Sequence, residues 1–244
     1  MGEIYVIGLG PGGRKQMTLE AYGALKACDA IIGYTVYIDL VRDMFPEKEF
    51  LSTPMRQEQE RCRMAFLEAQ KGKTVAMVCS GDPGVYGMAG LMFEIGTEYP
   101  QIPVKVLAGV TAATGGAAVL GAPLMHDFAL ISLSDLLTPW EKIEKRLTAA
   151  AEADFVICLY NPSSKKRADY LKRACALVRQ GRDQDVVCGI VKNIGREGES
   201  LEIMPLSRLA KTQVDMFTTV WIGNSQTREI DGRMVTPRGY RIEE

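Results

Sequence analysis

The sequence of 244 residues contains a single histidine, His126, and its six cysteines include no C-x-x-C pair. Zinc sites are normally assembled from local pairs of histidine and cysteine, so the sequence predicts no metal site. The cysteines are far apart, and most of them lie in apolar strand or helix patterns. This distribution favours buried free thiols over disulfides or reactive sites.

Long apolar runs and an excess of one charge are also missing. No segment approaches the roughly 18 uninterrupted apolar residues of a membrane span. The first predicted strand, at residues 4–8, begins too early for a signal peptide to precede it. We therefore expect a cytoplasmic protein without a membrane partner. The net charge of −1, with acids and bases interspersed, argues against nucleic acid as a partner.

The chain alternates short β-rich runs with amphipathic helices, a pattern typical of an α/β fold. Strands are predicted at residues 4–8, 30–33, 74–79, 104–107, 128–132, 155–160, 186–191 and 218–223. Helices are predicted at 57–71, 111–120 and 165–179, and an Asp-Gly pair within 229–235 predicts a tight hairpin. A Gly-Ala-Pro break at 121–123 predicts two domains, residues 1–120 and 121–244, each a mixed, largely parallel sheet flanked by helices.

The glycine-rich turn GLGPGG at residues 8–13 nominally fits a dinucleotide-binding fingerprint. Such a site needs an acid at the end of the second strand, but Asp29 precedes that strand, which ends at Tyr34. Pro11 also removes a backbone donor that a phosphate would use. These features disfavour a nicotinamide or flavin site, and a tight turn that merely connects a strand to a helix stays open as an alternative.

The loop SGDPGVYG at residues 80–87 follows directly on the apolar run at 74–79. In open α/β sheets, ligands collect beyond the carboxyl ends of the strands, so this loop is a predicted binding site. Its carboxylate, Asp82, has two interpretations that stay open here. It accepts a hydrogen bond from a ligand, or it bonds the backbone of its own loop.

Four short motifs follow one another at strand-to-loop junctions: GLGPG at residues 8–12, SGDP at 80–83, GVTA at 109–112 and YNP at 160–162. In this order and at these separations they resemble the tetrapyrrole (corrin and porphyrin) methylases, over essentially the whole chain. The stretches GYTVY at 33–37, ISLSDLLTPW at 131–140, LYNPSS at 159–164 and VKNIGR at 191–196 most resemble the members that act on carbon 17 of precorrin-3B or cobalt-factor III.

This resemblance implies a homodimer of two α/β domains, with S-adenosylmethionine in the cleft between the domains and the tetrapyrrole in an adjoining trough. The implied activity is methylation of carbon 17 with contraction of the macrocycle, in cobalamin biosynthesis. Two alternatives stay open. One is a sister methylase that acts at C-11 or C-20. The other is an RNA methyltransferase of the same fold, which the net charge disfavours.

The resemblance also implies the residues of the site. The cofactor-binding residues would be Gly81, Asp82, Val85, Thr111, Ala112, Leu133, Asn161, Asn193, Ile194, Gly195, Thr218 and Thr219. The substrate carries many acetate and propionate carboxylates, which need cations or helix N-termini as partners. The expected substrate-binding residues are Pro11, Gly12, Lys165, Lys166 and Arg167.

Ring contraction moves protons, so it requires groups that act as acid or base. The candidates for catalytic residues are Asp135, Lys192 and His126, each in a loop or at a strand end. A hydrogen-bonded structural histidine is an equally open interpretation of His126. A solvated lysine at a strand end is the alternative for Lys192.

Overall fold

The computed structural model describes residues 2–164 and 168–241, and the chain divides into two compact units. The first unit ends at Thr111 and the second begins at Ala112. Each unit contains a five-stranded sheet, and the second carries an additional small sheet. Among the described residues, no helix has the length and apolar character that are needed to cross a membrane.

The first unit contains strands β1 (Glu3–Gly8), β2 (Ala30–Tyr34), β3 (Glu49–Thr53), β4 (Thr74–Cys79) and β5 (Val104–Leu107). Its helices are α1 (Leu19–Ala27), α2 (Thr35–Asp39), α3 (Glu58–Gln70) and α4 (Ala89–Gly96). All strand pairs are parallel, in the order β3-β2-β4-β1-β5. Val75 and Met77 pack in one core cluster and Ala76 and Val78 in another. Both faces of β4 are therefore buried, which explains its uninterrupted apolar run.

The second unit contains β6 (Gly121–Ala122), β7 (Phe128–Ser132), β8 (Val156–Tyr160), β9 (Val187–Lys192), β10 (Ser200–Pro205), β11 (Thr218–Ile222), β12 (Arg228–Ile230) and β13 (Arg233–Val235). Its helices are α5 (Ala112–Leu120), α6 (Trp140–Glu152), α7 (Tyr170–Gln180) and α8 (Leu206–Leu209). The main sheet has the order β10-β9-β11-β8-β7, and the small sheet has the order β12-β13-β6. Only β7 and β8 pair in parallel within the main sheet.

The predicted α/β class is confirmed, with one refinement. The first sheet is parallel throughout, whereas the second is mixed and mostly antiparallel. A short loop at 193–199 joins β9 to β10 as neighbours, and so short a connection permits only an antiparallel pair. The strands predicted at 74–79, 104–107 and 128–132 have the predicted bounds. The Asp-Gly hairpin is also confirmed, with positive φ at Asp231 and Gly232.

The domain boundary predicted after residue 120 is corrected, because the division falls after Thr111 and assigns α5 to the second unit. The indole Nε1 of the fully buried Trp221 donates to the carbonyl of Ala113, at 3.2 Å. A Cβ on Gly116 would overlap the Trp221 ring. The small residues of this helix therefore allow it to pack on β11, and the Gly-Ala-Pro break follows the helix within the unit.

All six cysteines are buried and free, as predicted. Burial raises the pKa of the Cys62 and Cys175 thiols to about 12, and that of the Cys28 and Cys79 thiols to about 11. A thiol must ionise to act as a nucleophile. These cysteines are therefore core residues and not reactive groups.

Candidate active site

The loops that follow β1 and β4 meet at the switch point of the first sheet. The chain leaves β1 towards β2 on one side and leaves β4 towards β5 on the other, although β1 and β4 are neighbours. Gly10 donates to the carbonyl of Gly81 at 3.1 Å and accepts from its amide at 2.8 Å. Both glycines have positive φ, +74° and +69°. Ligands of open α/β sheets bind in the crevice at such a switch point.

Close backbone contacts also bring in the loop that follows β5. A Cβ on Gly8 would lie 2.6 Å from the Cα of Gly109, and a Cβ on Gly109 would overlap the carbonyl oxygen of Gly81. No larger residue fits at either position without moving a neighbouring main chain. We call Gly8, Gly81 and Gly109 the glycine cluster. It draws three of the four motif loops together at one edge of the sheet.

Asp82 joins two of these loops through its carboxylate. Oδ1 accepts from the amide of Gly84 at 2.8 Å, within its own loop, and Oδ2 accepts from the amide of Gly109 at 3.0 Å. Asp82 therefore bonds the backbone of its own loop and of a second one, and its contact with a ligand stays a prediction. Val85, in the same loop, is half-buried. Pro11 and Gly12 are buried in the loop after β1.

In the second unit, strand register brings the predicted cofactor residues to one edge of the main sheet. Ser132 lies opposite Tyr160, and Thr218 lies opposite Lys192. The carboxyl ends of β7, β8 and β9 therefore meet the start of β11. This edge carries Leu133, Asn161, Asn193, Ile194, Gly195, Thr218 and Thr219.

The loops after β7 and β8 are tied to each other. Leu133 donates from its amide to the carbonyl of Tyr160 at 2.9 Å, and Asn161 donates from Nδ2 to Oγ of Ser132 at 2.9 Å. Asn161 has a φ of +53°, a conformation that asparagine tolerates better than most residues. The Tyr160 hydroxyl accepts from the amide of Ala113, in the first turn of α5, at 2.8 Å. Leu133 is fully buried.

The loop after β9 has a backbone that turns sharply. Asn193 and Gly195 both have positive φ, and the amide of Asn193 donates to the carbonyl of Phe217 at 3.1 Å. The amide of Gly195 donates to Oε2 of Glu199 at 2.6 Å. Ile194, Thr218 and Thr219 are buried at the same edge.

Lys192 ends β9, is exposed, and forms an ion pair with Asp215 at 2.7 Å, so both interpretations of this lysine stay open. The other carboxylate oxygen of Asp215 accepts from the Thr218 hydroxyl at 2.9 Å and from the Phe217 amide at 3.0 Å. Burial raises the pKa of Asp215, but the hydrogen bonds from Lys192, Thr218 and Phe217 outweigh it and lower the pKa overall. Asp215 is not among the predicted site residues, although an aspartate that bonds the backbone two residues further on is a known turn signal.

The other two catalytic candidates lie apart from each other. Asp135, in the loop after β7, accepts from the Tyr170 hydroxyl at 2.6 Å, and the Tyr170 ring packs on Trp140 with centroids 4.3 Å apart. His126 precedes β7, so it lies at the opposite edge of that sheet from Lys192. The predicted grouping of His126 with Asp135 and Lys192 is therefore corrected. His126 precedes strand β7, and the length of that strand separates it from the end of the sheet where Asp135 and Lys192 lie.

The predicted substrate residues Lys165, Lys166 and Arg167 lie outside the described residues. The helix that was predicted from 165 to 179 is observed as α7, from Tyr170 to Gln180. Of the predicted inward stripe of Ala168, Leu171, Cys175 and Val178, the last three are confirmed as buried. The prediction for Ala168 is wrong, because this residue precedes the start of α7 and is exposed.

The fold and the loops define a class of protein with two α/β units, each of which presents tight loops where the strands of its main sheet end. A family model for tetrapyrrole (corrin/porphyrin) methylases matches residues 3–210. The chain belongs to this family. A probable cobalt-factor III C(17)-methyltransferase of Salmonella typhimurium is 46% identical over 238 residues, which cover 97% of this chain and 99% of that protein.

Two solved structures are similar to the chain. The methyltransferase CobJ has a TM-score of 0.89 and 34% identity, covering 97% of this chain and 100% of the other. A uroporphyrin-III C-methyl transferase from Thermus thermophilus, complexed with S-adenosyl homocysteine, has a TM-score of 0.72 and 23% identity. It covers 91% of this chain and 97% of the other, and the likeness shows the shared fold alone.

Alanine substitutions inside and outside the glycine cluster should have opposite effects on the free energy of unfolding. Gly109→Ala forces a Cβ against the Gly81 carbonyl, so we expect it to lower the free energy of unfolding by about 1–3 kcal/mol. Gly90→Ala, in α4 with open space around it, should raise that free energy by about 0.5–1 kcal/mol. Urea unfolding followed by circular dichroism measures both. Equal stabilities of the two variants would contradict the close approach.

The lowered pKa of Asp215 predicts a pH-dependent contribution to stability. A depressed pKa stabilises the folded state above the ordinary aspartate value of 3.8, and the stabilisation is lost as pH falls through the lower folded value. Asp215→Asn should therefore be less stable than the parent at neutral pH, with the difference shrinking at about pH 3. Urea titrations at both pH values test this. Asp183→Asn, at an exposed loop aspartate, is the control and should show little difference at either pH.

Proposed function

We propose that this protein transfers a methyl group from S-adenosylmethionine to carbon 17 of cobalt-factor III, with precorrin-3B as the metal-free alternative, and contracts the macrocycle. One observation carries the proposal. Each of the four motifs that resemble the tetrapyrrole methylases lies in a loop at a sheet edge, and the three in the first unit are held together by the glycine cluster. The full-length similarity to a C(17)-methyltransferase supports the choice of carbon.

The loops fit S-adenosylmethionine, because they offer main-chain groups and little side-chain bulk. In the first unit we propose contacts from Gly81, Asp82, Val85 and Thr111. In the second we propose contacts from Ala112, Leu133, Asn161, Asn193, Ile194, Gly195, Thr218 and Thr219. Because glycine has no side chain, a ligand can approach its backbone closely. In the glycine cluster, the same property already lets neighbouring loops approach one another closely. When bound, the cofactor supplies an electrophilic methyl group on a sulfonium centre.

The chain's own task in methyl transfer is to align donor and acceptor and to exclude water. No covalent nucleophile is required, because the acceptor carbon of a reduced tetrapyrrole is enamine-like and electron-rich. The buried cysteines agree with this, since burial raises the pKa of Cys62 and Cys175 to about 12 and leaves them as thiols. Rigid loops are therefore the main catalytic contribution of the fold.

We propose Lys192 and Asp135 as the groups that move protons in ring contraction. Lys192 is held by Asp215 at the sheet edge that carries the proposed cofactor residues, and Asp135 is held by Tyr170 in the loop after β7. His126 stays a weaker candidate, because it lies at the other edge of this sheet. We propose that Pro11 and Gly12 contact the substrate, and that Lys165, Lys166 and Arg167 bind its carboxylates.

We also propose that the protein is a cytoplasmic homodimer, as the family resemblance implies, and sedimentation of the purified protein tests the dimer. A sister methylase that acts at C-11 or C-20 is the alternative function. The product structure distinguishes the two. An RNA methyltransferase of this fold is disfavoured by the net charge of −1.

The proposed function predicts a mass gain of one methyl group when the protein is incubated anaerobically with S-adenosylmethionine and cobalt-factor III. Mass spectrometry measures the transfer, and the absorbance change measures ring contraction. Parallel incubation with precorrin-3B shows which substrate is preferred. Methylation without contraction would point to a sister enzyme. Binding of S-adenosylmethionine without methyl transfer to either substrate would contradict the proposal.

The proposed cofactor site predicts that Asn161→Gly weakens S-adenosylhomocysteine binding by about three- to tenfold, as expected for the loss of one hydrogen-bonding side chain. Glycine retains the positive φ of +53° at this position, so the backbone is not strained. Isothermal titration calorimetry gives the Kd. The matched control is Asp231→Gly, at a positive-φ hairpin position, and should bind like the parent. Equal Kd values for all three proteins would argue against Asn161 as a contact.

A further inference from the structure

Arg61 is a buried arginine in the first unit that has no carboxylate partner among the residues the structure describes. It is the fourth residue of α3 and is 4% exposed. The described salt bridges include none to its guanidinium, which is noteworthy for a charge at this depth. The other buried arginine, Arg182, pairs with Asp154.

The contacts of Arg61 are all with uncharged groups. Nε donates to the Thr53 hydroxyl at 3.0 Å, and Nη2 donates to the carbonyl of Pro54 at 3.1 Å. Nη1 faces only the thioether of Met88, with Sδ 3.9 Å away. The ring of Tyr34 lies 5.8 Å from Cζ. These contacts fix the orientation of the guanidinium without neutralising it, and Nη1 has the weakest partner, since a thioether is a poor acceptor.

An unpaired buried cation is costly, because the protein interior solvates charge poorly. The helix dipole adds to this free-energy cost, since Arg61 lies close to the positive N-terminal end of its own helix, α3. Glu58 accepts from the amide of Arg56, and both oxygens of Asp82 accept from backbone amides. Among the described residues, no carboxylate therefore compensates the charge of the Arg61 guanidinium.

The location of Arg61 relates this cation to the proposed active site. Tyr34 ends β2, Thr53 ends β3, and Met88 precedes α4 after the loop that contains Gly81. The guanidinium thus lies at the carboxyl edge of the first sheet, the edge where the glycine cluster lies. Met88 is half-buried and its side chain is flexible, so it covers Nη1 with a group that a ligand can displace.

We propose that Arg61 binds a ligand carboxylate through Nη1, with the Met88 side chain moving aside. This inference rests on the proposed function, which supplies two sources of that group: an acetate or propionate of the tetrapyrrole, and the amino-acid carboxylate of S-adenosylmethionine. Arginine is suited to either, because its planar donors match carboxylate geometry. The role assigned to Arg61 is binding, and the proton transfers stay with other residues.

The first test compares Arg61→Gln and Arg61→Lys with the parent. We expect Arg61→Gln to weaken one ligand by about tenfold or more, seen as a higher Kd for S-adenosylhomocysteine or a higher KM for cobalt-factor III. Arg61→Lys keeps the charge and should recover part of that loss. Arg63→Gln is the matched control, because Arg63 is an exposed neighbour on the same helix that pairs with Glu98. A folded Arg61→Gln protein with both constants within twofold of the parent would overturn the inference.

The second test uses the unaltered protein, so it does not depend on a variant that folds. Methionine methyl groups are labelled with carbon-13, and the Met88 signal is assigned from Met88→Leu. We expect this signal to shift with saturating S-adenosylhomocysteine but not with methylthioadenosine, which lacks the carboxylate, if the cofactor is the source. A shift with cobalt-factor III alone assigns the tetrapyrrole. No shift with either carboxylate ligand would overturn the inference.

The two tests separate this inference from the proposed function. A parent protein that methylates cobalt-factor III, with unaffected Arg61→Gln and an unmoved Met88 signal, would keep the function and reject Arg61. A parent protein that transfers no methyl group but shows the Met88 shift with S-adenosylhomocysteine would reject the substrate and keep Arg61 as the carboxylate site.

Discussion

The contact of main chain with main chain in the glycine cluster is the constraint on which the first unit's candidate site depends. Gly8, Gly81 and Gly109 lie so close that a Cβ on Gly8 or Gly109 would collide with a neighbouring backbone. This closeness allows Asp82 to reach the Gly109 amide, and it allows Gly10 and Gly81 to pair like strand residues. These contacts brace the three loops against one another.

The second unit reaches a similar arrangement by other means. Its sheet is mixed, so β11 begins at the edge where β8 and β9 end. Side chains hold these ends in place of glycine contacts. Asn161 bonds Ser132, and Asp215 bonds Lys192 together with the residues that open β11. Asparagine and aspartate serve here because short polar side chains can bond a nearby backbone.

Cations in the two units differ in whether a carboxylate compensates their charge. Arg182 is buried with Asp154 beside it, which in turn accepts from Ser225, so its charge is compensated within the unit. Lys192 has Asp215. Arg61 has only neutral neighbours, although it is as deeply buried as Arg182. Because burial penalises an uncompensated charge, this difference is the physical basis on which we propose Arg61, and not Arg182, as a binding group.

Much of the fold followed from local pattern. The uninterrupted apolar run of β4 was predictable because both faces of that strand are buried. The apolar stripe of α7 was predictable because only one face of that helix is buried, which repeats apolar residues every three to four positions. Strands β3 and β10 gave no such signal. They lie at sheet edges and carry polar residues at exposed positions, so their composition resembles that of a loop. The small residues of α5 could be recognised in the sequence, but the sequence did not predict that they pack against Trp221.

By itself the sequence determined the α/β class, the loops at strand ends and the family motifs, since each depends on residues that are close along the chain. Only the tertiary structure decided which of those residues share a site. It paired Lys192 with Asp215, placed His126 at the far edge of its sheet, and buried Arg61 without a counter-charge. The physical reason is that strand register and helix packing join residues that are distant in sequence, and no local pattern records which partners they will meet.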